Sequence, residues 1–396
     1  MSVTFARGFR AAGVAAGLKA SGRPDLALLV ADGEASAAGG FTTNAFPAAP
    51  VTVTREHLTD GRARAVVVNS GQANAGTGPA GLEDARAITA AAAGHLGCGA
   101  TEVLVCSTGV IGPRVPLPTL VNGLPAAFHR LDEDGGGSFA AAILTTDLGP
   151  KQATTTSGTY RVGGCAKGAG MIAPRLAPHG LATLLAFITI DAPVPPGVLT
   201  GMVTEAVMPV WNGVVMDGCQ STNDTVLVLA SGAAGGDPVR AGSPEGVALE
   251  EALRRVSEDL ARQVVQGAEG ASKVLVVDVQ GAPDTDAARR VGLAIAGSSL
   301  VKTAVCGGDP NPGRILQAIG DAGVAFDAYR TRAMLDGVAV VLAGVVADPL
   351  PDEAAAALAG PEVLLRIDLG TGSGSATVFG CDLSEEYVPI NARYRT

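Results

Sequence analysis

Several stretches carry residue types that do chemistry. Ser107-Thr108-Gly109 directly follows the apolar run Val103–Cys106. A strand that opens into Thr-Gly exposes N–H groups able to bind an anion or a developing oxyanion. The same residues also make an ordinary turn, with the hydroxyl bonding its own backbone. Lys167-Gly168-Ala169-Gly170 has the glycine content of a phosphate loop but lacks the following Lys-Ser or Lys-Thr. It reads better as a tight turn that brings Lys167 near a ligand. Ser221-Thr222-Asn223-Asp224-Thr225 is a dense hydroxyl and amide cluster, suited to a polar substrate or to capping a turn. Asp309-Pro310-Asn311-Pro312-Gly313-Arg314 reads as a loop and helix start. Thr183 is a lone hydroxyl in an apolar stretch, where threonine usually packs.

The elements that must position these residues alternate along the chain. Ala27–Val30, Ala65–Val68, Val103–Cys106, Leu181–Ile190, Thr225–Ala230 and Lys273–Val279 read as buried strands. Leu82–Leu96, Val198–Val207 and Ala248–Val265 read as helices. In the last, Leu249, Leu253, Val256, Leu260 and Val264 recur at helical spacing. Val338–Val346 reads as one strand, and Val363–Val378 as two strands around the turn at Gly370–Gly374. The pattern is that of a layered α+β or α/β enzyme.

Composition bounds the alternatives. The 396 residues allow two domains or one large unit, and 47% hydrophobic against 17% charged residues excludes disorder. A net charge of −10 argues against nucleic acid or an anionic membrane as partner. With 54 glycines and 4% aromatics, the core must pack through Val, Leu, Ile and Ala with closely approaching backbones. The six cysteines form no CxxC pair, and the four histidines add no ligand-like spacing. These features suggest reduced, mostly buried thiols, no metal, no signal peptide or membrane span, and a cytoplasmic protein.

Many blocks, in order from residue 8 to the last, resemble one family. They include Gly8–Lys19, Gly40-Phe41-Thr42-Thr43-Asn44, Val68–Ala75, Ser107–Gly112, Thr145-Thr146-Asp147, Lys167–Ile172, Ala182–Ile188, Ser221–Thr225, Gly308–Asn311 and Tyr387–Thr396. They are similar to the ornithine acetyltransferase, or glutamate N-acetyltransferase, family of the cyclic arginine pathway. The resemblance implies an αββα-like sandwich of the N-terminal-nucleophile type, with a smaller C-terminal α/β part. It also implies self-cleavage between Ala182 and Thr183 into an α chain, 1–182, and a β chain, 183–396, that stay together as a heterotetramer or larger.

In that family the new N-terminal threonine, here Thr183, is the nucleophile. A threonine hydroxyl needs a base. The cut supplies one, an α-amine with an ordinary pKa of about 7.7–8.0. The family's oxyanion pair falls on Thr108 and Gly109. Its substrate contacts fall on Thr145 or Thr146, Lys167, Glu269, Asn391 and Thr396. The implied reaction is ping-pong: N-acetylornithine acetylates Thr183, ornithine leaves, and glutamate departs as N-acetylglutamate. No cofactor is required, although acetyl-CoA serves some members as donor. The chain departs from the family in Pro174–Leu181, which is longer than usual, and at Cys219-Gln220, Gly267-Ala268 and Pro312. These departures allow the same machinery with another amino-acid acceptor or donor, or an N-acyl amino acid amidohydrolase in which water resolves the acyl-threonine.

Overall fold

The computed structural model describes residues 2–177 and 184–393. Its first sheet has nine strands: β1 (Phe9–Val14), β2 (Leu26–Thr42), β3 (Arg62–Gln72), β4 (Val103–Val110), β5 (Lys151–Ser157), β6 (Tyr160–Lys167), β7 (Leu176–Ala177), β8 (Leu185–Ile190) and β9 (Thr225–Ala230). The main path is β4-β3-β2-β9-β8-β6-β5, with β1 and β7 also paired to β2.

One strand makes this sheet into two layers. β2 runs for 17 residues. Its first part pairs with β3, and Ser36–Phe41 pairs with β9. The register shifts between Val30 and Ala35, where Asp32, Gly33 and Glu34 stand in solvent. Such an irregularity bends a strand, and the two halves of the sheet face each other. Alternation then sorts the side chains. Ala27, Leu29, Val66, Val68, Leu104 and Cys106 of one half meet Cys165, Leu185, Phe187, Leu227 and Leu229 of the other. Phe187 meets Phe139 edge-on at 5.2 Å, one of the few aromatic pairs this chain can form.

The outward faces are covered by helices. Leu28, Val30, Val67 and Val105 pack under α1 (Ala49–His57), α2 (Gly78–Leu96) and α3 (Leu117–His129). The short α4 (Gly136–Ala142) closes one end of the inner core. On the other side, Ala186, Ile188, Val226 and Val228 pack under α5 (Pro196–Met202), α6 (Met208–Trp211) and α7 (Pro244–Gln266). A single π turn, Val203–Val207, joins α5 to α6. The architecture is an αββα sandwich.

A second, smaller part has its own core. Its strands are β10 (Val274–Ala282), β11 (Arg332–Leu335), β12 (Val338–Leu342), β13 (Val345–Val346), β14 (Glu362–Asp368) and β15 (Gly374–Cys381), in the order β13-β12-β11-β14-β10-β15. Helices α8 (Thr285–Gly297), α9 (Ser299–Gly307), α10 (Pro312–Asp321) and α11 (Glu353–Ala356) accompany them, and α12 (Tyr387–Arg393) ends the described chain. Asn311 caps α10 by accepting from the Arg314 amide, so the Asp309–Arg314 stretch is the expected helix start.

Three expectations change. Val338–Val346 is two strands, because Ala343 and Gly344 turn at positive φ and fold β13 back on β12. The strands flanking Gly370–Gly374 are not a hairpin: β10 lies between them, parallel to β14 and antiparallel to β15. Of the cysteines, only Cys106, Cys165 and Cys381 are buried, and Cys219 is exposed. No described helix is long and apolar enough to cross a membrane.

The inter-sheet contact makes a direct prediction. Phe187→Ala removes a fully buried ring between the layers. It should cost about 3–5 kcal/mol in urea unfolding. A loss below about 1 kcal/mol would mean that the two layers are not held by this core.

Candidate active site

The strand ends converge. β4 runs parallel to β3 and carries Ser107-Thr108-Gly109 just before its last residue, Val110. β6 ends at Lys167, which is paired with Leu185 at the start of β8. The Thr225 amide, opening β9, donates to the Leu184 carbonyl. The extra residues of Pro174–Leu181 therefore do not separate Lys167 from the start of β8. The insertion leaves from β7, where the Leu176 amide and carbonyl are both held by the Asn212 side chain, and the chain has returned by Leu184. Ala182 and Thr183 lie outside the described residues, as does Thr396.

Lys167 and Thr108 meet directly. The buried Lys167 Nζ donates to Thr108 Oγ1 at 3.2 Å. The hydroxyl accepts in this contact, so its own proton is left to donate elsewhere. Gly109, at φ +130°, admits no side chain: a Cβ there would stand 2.3 Å from the Gly71 carbonyl carbon. The Thr-Gly pair is thus built into the β3–β4 contact and is not a generic turn. Behind it, Ser107 Oγ donates to Asn69 Oδ1 at 2.6 Å. The Asn223 amide donates to the Ala73 and Ser107 carbonyls at 2.6 and 2.9 Å. The Ser221–Thr225 cluster therefore ties β9 to the end of β4.

Asp147 organises the charges. Its carboxylate accepts from the Lys151 ammonium, from the Gly168 amide at 2.7 Å and from the Thr145 amide at 3.1 Å. Burial alone would raise its pKa. The nearby Lys167 and Lys151 charges and these hydrogen bonds outweigh that and hold it at about 2. Burial draws the Lys167 ammonium below its ordinary value and Lys151 adds to the effect, while Asp147, Asp224 and Glu269 oppose it. Asp224 is fully buried, and its carboxyl oxygens have no hydrogen-bond partner among the described residues. Burial pushes it well above the usual carboxylate range, with Lys167 opposing.

A cavity of about 940 Å³ opens beside this cluster. Thr145, Thr146, Asp147 and Glu269 line it. Glu269 is held by its own amide, which donates to the Ala169 carbonyl at 2.8 Å, and its carboxylate lies against Gly170, where a Cβ would stand 2.4 Å from it. The Lys-Gly-Ala-Gly turn thus makes room for Glu269 and holds no phosphate loop. Thr145, Thr146, Lys167, Glu269 and Thr108 form one contiguous site. Asn391 is exposed on α12, its amide donating to the Tyr387 carbonyl at 3.0 Å. Its helix neighbours Pro389, Ile390 and Arg393 line the cavity. Asp147 and Asp224 stand in the sequence only as members of the Thr145–Asp147 and Ser221–Thr225 stretches, and Lys151 carries no signal there. The Thr145-Thr146-Asp147 block was the signal available for the first.

The two-layer sandwich thus starts its central strand β8 beside the buried Lys167–Thr108 contact and the adjacent Gly109. The ArgJ family model matches residues 10–396. The chain is 45% identical to the arginine biosynthesis bifunctional protein ArgJ of Streptomyces coelicolor over 395 residues, covering 100% of both. It is 44% identical to that of Thermobifida fusca over 397 residues, again covering 100% of both. The solved structure of the corresponding Bacillus halodurans protein is 35% identical, with a TM-score of 0.51, and matches 52% of this chain and 98% of its own. The chain belongs to the ArgJ family.

Asp147 generates a pH prediction. Its folded pKa lies below the unfolded one, so its stabilisation is complete above about pH 4 and is lost as pH falls towards about 2. Asp147→Asn leaves two buried ammoniums without their carboxylate and should cost about 3–5 kcal/mol near neutrality. The gap between variant and wild type, read from urea unfolding, should narrow as pH falls from about 4 to about 2. A pH-independent gap would show that the charge is not what matters.

Proposed function

We propose that the chain cuts itself between Ala182 and Thr183 and transfers an acetyl group through an ester on Thr183. The reaction moves the acetyl group of N-acetylornithine to glutamate, which makes the protein a glutamate N-acetyltransferase of arginine biosynthesis. The observation that carries the Thr183 reading is the contact of Lys167 Nζ with Thr108 Oγ1, buried at the strand ends where β8 begins.

Cleavage frees the α-amine of Thr183. That amine takes the hydroxyl proton as Thr183 Oγ attacks the acetyl carbonyl carbon. Negative charge gathers on the carbonyl oxygen, and the Thr108 hydroxyl and Gly109 N–H donate to it. The C–N bond breaks, the amine returns the proton to the leaving nitrogen, and ornithine departs. Glutamate then attacks the ester with its amine and leaves as N-acetylglutamate. Lys167 serves the substrate α-carboxylate as a point charge, and Glu269 serves the cationic end of ornithine. Hydroxyl, amine and oxyanion donors suffice, so the reaction draws on no metal or cofactor.

Topology supports two chains that stay associated. After the cut, β9 and β8 would belong to 183–396 and lie between β2 and β6 of 1–182 in one sheet. Separation would require tearing the ladder on both sides. The Bacillus halodurans chain, matched over 98% of itself by 52% of this one, has about the length of one such product. Higher assembly of αβ pairs belongs to the same reading.

Intact mass tests it. The purified protein should give two masses that sum to the full chain plus one water, and Thr183→Ala should give one. A single full-length species in the wild type overturns the reading. In the cleaved protein, Thr108→Val should lower kcat by about 10²–10³-fold. An unchanged kcat would remove Thr108 from the oxyanion site.

A further inference from the structure

The leaving and the accepting amino acid of this reaction differ at their side-chain ends. Ornithine carries an ammonium there, and glutamate carries a carboxylate. In a double-displacement enzyme both occupy the same cavity in turn, so the cavity needs a partner for each charge. Glu269 lines it and suits the ammonium. None of the substrate residues named above supplies the opposite charge to the second carboxylate of glutamate, because Lys167 is committed to the α-carboxylate.

Arg23 also lines the cavity. Its guanidinium makes no ion pair or hydrogen bond among the described residues. The turn that carries it is unusually fixed. The amides of Ala16, Gly17, Leu18 and Lys19 all donate to the fully buried Asp25 carboxylate, at 2.6, 3.2, 2.6 and 2.9 Å. Lys19 Nζ reaches across the loop to the Pro24 carbonyl at 2.8 Å and on to the Leu144 carbonyl at 2.7 Å. Leu144 directly precedes Thr145, so this clamp ties the Arg23 turn to the wall that carries the threonines. The Ser70 amide donates to the Asp25 carbonyl at 2.9 Å, fixing the same turn to β3. A free guanidinium on a rigid turn at the mouth of a cavity is preorganised to take a carboxylate with two parallel N–H groups.

We propose that Arg23 binds the side-chain carboxylate of the glutamate acceptor, and that Lys19 and Asp25 are positioning residues that hold the Arg23 turn against the Thr145 wall. The proposal rests on the acetyl-transfer reading above. It assigns the two ends of one cavity to the two charges: Glu269 for the leaving ornithine and Arg23 for the entering glutamate.

Steady-state rates with both substrates varied test it, because in a ping-pong reaction kcat/KM for each substrate reports only its own half-reaction. Arg23→Gln should lower kcat/KM for glutamate by about 10- to 100-fold, the loss of one charge-assisted contact. The value for N-acetylornithine should stay where it is. Arg23→Lys should recover part of the loss, and Arg23→Gln should narrow the preference for glutamate over glutamine as acceptor. An unchanged value for glutamate overturns the proposal. So does an equal fall for both substrates, which would mark a merely structural residue. A wild-type protein that transfers no acetyl group at all is a separate result. It overturns the acetyl-transfer reading and the Arg23 assignment with it.

Discussion

The site depends on one buried carboxylate. Lys151 and Lys167 both lie inside the sandwich, almost wholly out of water. Two such ammoniums side by side repel, and each has lost its hydration. Asp147 makes the arrangement tenable. It bonds Lys151 and the Gly168 amide with one oxygen and the Thr145 amide with the other. Those partners come from the cavity wall, from β5 and from the turn after β6. The same group that neutralises the charges therefore fixes where Lys167 points, and so its contact with Thr108. Without it, Lys167 would be drawn out towards water or lose its proton, and its hold on the Thr108 oxygen would go.

The second constraint is the bend in β2. A strand shared by both layers brings the ends of β4 and β6 to the same edge of the sandwich, although they belong to different layers. Thr108 comes from one layer and Lys167 from the other, 59 positions apart in sequence. The shortage of aromatic residues fits this geometry. The layers approach through alanine, valine and leucine, and Phe139 with Phe187 fills one end. Small side chains keep the layers close enough for short polar groups at the strand ends to touch.

Much of this was legible in the sequence, and what was missed has physical reasons. Strands such as Thr225–Ala230 were read to the residue, because apolar runs bounded by polar clusters announce themselves. The helix at Pro244–Gln266 was visible from its periodicity. Pairing was not visible: nothing local says that β10 enters between β14 and β15. The site divided in the same way. Thr108-Gly109 and Lys167 stand out locally, the resemblance gives them roles and adds Glu269, and the fold joins them. The role of Asp147 is not legible because it lies in a loop, and the Lys167 it serves is twenty residues on, at the end of β6. Thr183 would pass locally as a packing residue, and only the resemblance singled it out. Arg23 gave no signal, since an exposed arginine in a Gly-rich turn is common. Its setting is made by Asp25 and Lys19, whose contacts exist only once the turn has folded.

The interleaving of the two halves would make the proposed cut in the centre of the sandwich tolerable. Most chains severed beside a central strand would expose an edge and come apart. Here β8 and β9 pair with each other and are flanked by β6 and β2, strands from the other side of the proposed cut. Every backbone group of that ladder keeps its partner after the peptide bond breaks. The proposed cut falls one residue before Leu184, whose carbonyl is held by the Thr225 amide at the start of β9. A cut there would change the chemistry of a single residue while leaving the ladder on both sides of β8 and β9 intact.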